Sequence, residues 1–109
     1  MTLSASQIPA NSFGIFIVGT DYDQGPLFGG GQGILLVGGR LGRFNRGSEI
    51  QFSGPSATFD MQVDLNAIPY ALGYLAVQPG ETLFFQAWHR DLNPTPTSNL
   101  TDAVAITFF

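Results

Sequence analysis

Apolar positions in this chain come in short runs separated by Gly, Pro, Asn and Ser, and the spacing inside the runs is that of strands. The clearest stretch is Ala57-Thr58-Phe59-Asp60-Met61-Gln62-Val63-Asp64-Leu65, where every odd position is apolar and every even one polar. A period of two puts one face in a core and the other in water, and it is too strict for the 3.6-residue period of a helix. Phe13-Gly14-Ile15-Phe16-Ile17-Val18 and Ile34-Leu35-Leu36-Val37 are apolar on both faces, as strands inside a sandwich are. Residues 40–45 and 49–52 alternate again, with a bulge or turn at Gly38-Gly39 and a tight turn at Asn45-Arg46-Gly47-Ser48. Residues 82–90 (TLFFQAWHR) form a strand dense in aromatics, and residues 103–109 (AVAITFF) a terminal strand. Loops are expected over 19–33 and 93–98, and Pro79-Gly80 marks a turn. The segment 66–78 (NAIPYALGYLAVQ) is ambiguous: it has room for a helical turn after Pro69, limited by Gly73 and Pro79.

Seven to eight short strands and no long helix predict an all-β fold. The expected form is an antiparallel two-sheet β-sandwich, jelly-roll or Ig-like, as a single domain over residues 1–109. No internal repeat stands out at the scale of solenoid or propeller units.

Composition narrows the function classes. Charged residues make up 11% of the 109, against roughly 25% in an ordinary soluble domain. The four basic residues are all arginines (Arg40, Arg43, Arg46, Arg90), and the eight acidic ones bring the net charge to −4. An acidic chain without lysine lacks the basic footprint of nucleic-acid binding. No run approaches the ~18 apolar residues of a membrane-inserted helix. The absence of cysteine removes disulfides, thiolate catalysis and cysteine-ligated zinc. Met1-Thr2-Leu3-Ser4-Ala5-Ser6 has neither a basic region nor an apolar stretch, so it is not a secretory signal. The chain is then either cytoplasmic or a segment of a longer exported polypeptide. Scarce Lys and Glu suit the second, a secreted or cell-surface bacterial location.

The last third of the chain carries a recognisable pattern. Trp88-His89-Arg90-Asp91, a short polar loop, Ser98-Asn99-Leu100-Thr101-Asp102-Ala103-Val104 and a closing Thr107-Phe108 resemble an uncharacterised β-sandwich module. That module recurs at the C-termini of secreted bacterial multidomain proteins, with endings of the form WYRD…NLSDAV.xTF. Asn11-Ser12-Phe13-Gly14 at the start and Gly38-Gly39-Arg40-Leu41-Gly42-Arg43-Phe44 in the middle are similar to it as well, so the likeness spans nearly the whole chain. The sequence departs from the usual module in having no cysteine and in placing His89 where Tyr is common. The resemblance implies an exported, non-catalytic module attached to a parent secreted polypeptide, and implies no ligand.

Candidate sites are few. Asp21-Tyr22-Asp23-Gln24-Gly25 looks like a shortened calcium loop, since calcium takes six to eight oxygens and two carboxylates with a flexible turn supply some of them. Position twelve from Asp21 is Gln32 rather than Glu, so the motif is incomplete, and a solvated Asx turn is the favoured reading. Asp91 and Asp102, with Asn93, make a second oxygen cluster if the last two strands are hairpin neighbours; otherwise Asp91 pairs Arg90 or caps the loop. Calcium is therefore the one cofactor the sequence leaves open. Trp88, Tyr70 and Tyr74 are a candidate aromatic platform for carbohydrate, weighed against Trp88 simply being buried beside Phe84 and Phe59. Asn99-Leu100-Thr101 is a glycosylation sequon, which would put Asn99 on a surface loop; the alternative is a turn leading into a strand. Arg40 and Arg46 share a face and are expected to pair with Glu49 or Asp60.

Enzymatic machinery is thin. His89 is the only histidine, no G-x-S-x-G elbow is present, and one His cannot make a typical catalytic zinc site. Asp60 and Asp64 lie about 13 Å apart at ~3.3 Å per residue, too far for a retaining carboxylate pair. The sequence therefore points away from an enzyme. It favours a structural, adhesive or self-assembling module, an oligomer or filament subunit whose partner is itself. A carbohydrate- or calcium-binding accessory domain is the alternative.

Overall fold

A computed structural model describes residues 1–22, 36–92, 96–101 and 103–109, with strand over 51% of residues and helix over 3%. The protein is all-β and its sheets are antiparallel. Its strands are more numerous and shorter than the hydrophobic pattern suggests, because glycines and left-handed residues cut the apolar runs.

The longest strand, β10 (Thr82–Leu92), is the spine of a six-stranded sheet. One edge of β10 pairs with β2 (Phe13–Gly19), from Phe84 opposite Gly19 to His89 opposite Gly14. Its other edge is shared by two strands: β11 (Pro96–Leu100) along the C-terminal half and β12 (Val104–Thr107) along the N-terminal half. Thr101 bridges the gap between them. Its N–H donates to the Ala87 carbonyl and its hydroxyl accepts the Ala87 N–H, both at 2.9 Å. The far edge of β2 is likewise shared, by β5 (Gly42–Phe44) and β6 (Gln51–Phe52). The sheet is thus four strands across.

Three two-stranded ribbons accompany it among the described residues: β1 (Thr2–Ala5) with β7 (Phe59–Gln62), β3 (Asp21–Tyr22) with β4 (Val37–Gly38), and β8 (Ile68–Tyr70) with β9 (Gly73–Leu75). The alternation in residues 57–65 does what it predicts. Phe59, Met61 and Val63 are buried while Asp60, Gln62 and Asp64 are exposed. The strand starts at Phe59 rather than Ala57, because Ala57 sits in the left-handed region at φ 59°. These side chains meet Leu3 and Ala5 of β1, Phe16 and Val18 of β2, Phe44 of β5, Ile68 of β8, and Leu83, Phe85 and Ala87 of β10 in one core. Phe16 and Phe59 meet edge to face at 5.3 Å, the geometry aromatic quadrupoles favour. Phe85, 1% exposed, lies at the centre.

Several expectations are corrected. The segment 66–78 holds no helical turn; it is the β8–β9 hairpin, reversed through Ala71 and Leu72. Packing decides this. Ile68 is drawn into the core, and the Pro69 carbonyl lies so close to Gly42 that a Cβ there would meet its oxygen. Residues 96–98 belong to β11 and not to a loop, since Leu92 pairs with Pro96; a proline is tolerated at the first residue of an edge strand. The tight turn at 45–48 becomes a 3₁₀ turn, Gly47–Glu49. Of the run 34–37, residues 34 and 35 lie outside the described residues, and Val37 begins β4.

Candidate functional site

Three of the four arginines rest on aromatic rings, and these pairs are the most organised polar feature of the surface. Arg46 precedes the Gly47–Glu49 turn and is fixed there by main-chain bonds, its N–H reaching Glu49 Oε1 at 3.1 Å and its carbonyl accepting the Glu49 N–H at 2.8 Å. From that position its guanidinium lies 4.1 Å from the centre of the Tyr74 ring and donates Nε–H to the Tyr74 hydroxyl at 2.6 Å. The hydrogen bond to Tyr74, and then its charge interactions with Tyr74 and Glu49, raise the Arg46 pKa further, so the cation is permanent. Arg40 covers Tyr70 at 5.6 Å and Arg90 covers Trp88 at 5.2 Å. A planar, weakly hydrated guanidinium stacks in this way where an ammonium holds its water more strongly. Arg40 and Arg46 were expected to seek Glu49 or Asp60. The Arg46 guanidinium goes to Tyr74 instead, and Arg40 to Tyr70, because the β8–β9 hairpin brings two tyrosines to them.

The proposed platform of Trp88, Tyr70 and Tyr74 is not assembled. In the hairpin Tyr70 stands opposite Gly73 and Tyr74 opposite Pro69, so the two tyrosines emerge on opposite faces. Tyr70 faces a cavity of about 30 Å³ lined by Val18, Ile68, Leu75 and Leu83, room for a water molecule. Tyr74 faces outward. Trp88 stands on β10 with Ile15 beside it, on the face of the large sheet opposite the core. It therefore shares a face with Phe84 but not with Phe59, and its Nε1 is buried without a hydrogen-bond partner among the described residues.

The acidic candidates are scattered. Asp21 is exposed in β3, and its carboxylate lies beside Gly39. Asp23 and Asp102 lie outside the described residues, as does the side chain of Asp91 on β10. Among the described residues no three His, Asp or Glu side chains gather as metal ligands would. Asn99 is in strand β11 opposite His89, not on a loop. His89 is buried, and its Nδ1 lies 3.1 Å from the Arg90 carbonyl. Ser53 is also buried and structural: its hydroxyl donates to the Pro9 carbonyl at 2.7 Å and accepts the Ser12 N–H at 2.9 Å.

A feature absent from the hydrophobic pattern lies at the β10–β12 side of the molecule. Residues 3–7, running along and past β1, face Val104 of β12 across an open groove of about 280 Å³, floored by Phe16, Phe85 and Ala87. Among the described residues no ionisable side chain lines it. Val104 is half exposed on its rim. Only the topology brings the first and last strands to one groove, so no local motif could reveal it.

Compared with models of known protein families, with curated proteins and with solved structures, the chain matches none.

Proposed function

We propose that this chain is a non-catalytic β-sandwich module of an exported bacterial protein, with a structural role in adhesion or self-assembly. The observation that carries this reading is the surface. Ten large apolar or aromatic side chains are exposed among the described residues, including Leu72 at 88% and the contacting pair Phe13–Phe52. The whole chain has only four basic and eight acidic residues to keep copies apart. Scattered exposed apolar groups are ordinary, but such density with so little charge favours contact with another surface. A two-layer arrangement is supported by the shared core, to which the β1–β7 ribbon and Ile68 of β8 contribute from one side and β2, β5 and β10 from the other. The export reading rests on the resemblance of residues 11–14, 38–44 and 88–108 to the secreted module.

Light scattering coupled to size exclusion over a wide concentration range tests the assembly role. Mass rising with concentration is expected; one monomeric mass throughout overturns it.

The second reading, a carbohydrate-binding accessory domain, is favoured by Tyr74. Its ring is exposed and held flat on a guanidinium, leaving one face for a sugar. A glycan panel read by Tyr and Trp fluorescence tests it, with loss of any response in Tyr74→Ala as the expected control.

A further inference from the structure

We infer that the free edge of β12, with the groove between it and β1, is where a second copy of this chain docks, by antiparallel strand pairing across a two-fold axis. The inference rests on the self-assembly reading and names its interface.

The first argument is main-chain geometry. Phe108 N–H donates to the Glu81 carbonyl at 2.8 Å, so by the period of two the N–H groups of Ile106 and Val104 also point to β10. Those of Ala105 and Thr107 point away from the sheet. On β1, Val63 N–H donates to the Met1 carbonyl at 2.7 Å, so Met1, Leu3 and Ala5 face β7 while Thr2 and Ser4 turn their main-chain groups outward. Unpaired N–H and C=O groups in strand geometry are a template for another strand.

The second argument is charge. Exposed edges are ordinarily guarded by Lys, Pro or inward charges. Residues 103–109 hold none of these, and residues 1–20 hold no charged side chain. The neighbouring edge strand β11 begins with Pro96. A chain of net charge −4 repels its own copies except where its surface is uncharged, and β12, β1 and their groove form such a surface. Among the described residues a basic partner finds no carboxylate there, whereas an uncharged edge of the same chain finds its match.

The third argument is closure. Antiparallel pairing of β12 with β12 of the second copy uses the same surface on both, so the contact is isologous and closes as a dimer. Pairing of β12 with its mate continues the sheet across the axis. It also joins the two grooves into one trough, so that Val104 of each copy is covered.

The test compares wild type with Ala105→Pro, which removes an outward N–H, and Ala105→Lys, which adds the missing edge charge. Leu72→Lys, on the exposed β8–β9 turn, serves as the comparison. Sedimentation equilibrium is expected to show a wild-type dimer, with association about tenfold weaker or more in both Ala105 variants and unchanged in Leu72→Lys. Circular dichroism checks that each variant folds. Hydrogen exchange on the wild type gives a variant-free readout: the Ala105 and Thr107 amides should become protected as concentration rises. A dimer that is indifferent to the Ala105 changes, or whose β12 amides exchange equally at all concentrations, overturns the interface and leaves the assembly role standing. A monomer at all concentrations overturns both.

Discussion

The Gln86 side-chain amide donates to the main-chain carbonyl of Thr101 at 2.7 Å, and its Oε1 accepts the Leu36 N–H at 3.0 Å. Gln86 is 2% exposed, on the face of β10 away from the Phe85 core. One buried amide therefore ties the spine of the sheet both to the segment leading into β4 and to the break between β11 and β12. Within low-dielectric surroundings such a group is stabilising only while its partners are present.

Replacing Gln86 with Leu keeps its bulk and deletes both bonds. The expected loss is about 2–4 kcal/mol, since a buried donor or acceptor deprived of its partner costs about 1–3 kcal/mol. Urea unfolding should show a lower midpoint at unchanged slope. A midpoint equal to wild type would mean that water replaces the amide at no cost.

Gly42 and Gly47 should respond oppositely to alanine. A Cβ on Gly42 collides with the Pro69 carbonyl, where β5 and β8 touch, whereas one on Gly47 meets nothing within 4 Å. Gly42→Ala is expected to cost at least about 1–3 kcal/mol, as overpacking does. Gly47→Ala should stay within about 0.5 kcal/mol of wild type. Thermal melts of the two proteins side by side decide it, and equal melting points would contradict the close approach of β8 to β5.

Alternation along β7 predicts a second contrast. Met61 is 7% exposed in the core and Asp60 stands in water. Met61→Ala should cost about 2–5 kcal/mol from lost transfer and the cavity left behind, and Asp60→Ser no more than about 0.5 kcal/mol. Similar costs at both positions would mean that the strand is not one-sided.

Calcium is expected to leave stability unchanged. The loop from Asp21 has Gln32 where a bidentate carboxylate belongs, and Asp21 itself is exposed with no cluster of acidic groups among the described residues. Calcium at a hundredfold over its Kd would add about 2.7 kcal/mol. Melting in chelator and in millimolar calcium should therefore coincide. A clear rise in calcium would show that the aspartates close a site after all.

Residues 59–64 show how far local pattern reaches: the burial of each follows from its parity, because a strand must place alternate side chains on opposite faces. The strands read at residues 13–18 and 82–90 were equally legible, the first as a run apolar on both faces and the second as a run dense in aromatics. Segment 66–78 was not, since its local preferences admit a turn of helix, and the hairpin is chosen only by the burial of Ile68 and the contact of Pro69 with Gly42. The aromatic candidates fared likewise. Tyr70 and Tyr74 are four apart in a hairpin whose register sends them to opposite faces, and their arginine partners come from thirty residues upstream or nearly so.

By itself, the sequence determined that the protein is all-β and which face of residues 59–64 enters the core. Those properties follow from near-neighbour periodicity and composition. Tertiary structure alone decided which strands end as free edges, and it placed β1 beside β12 across a groove. Edge exposure depends on which strands pair, and pairing is settled by long-range burial and hydrogen bonding that no local spacing encodes.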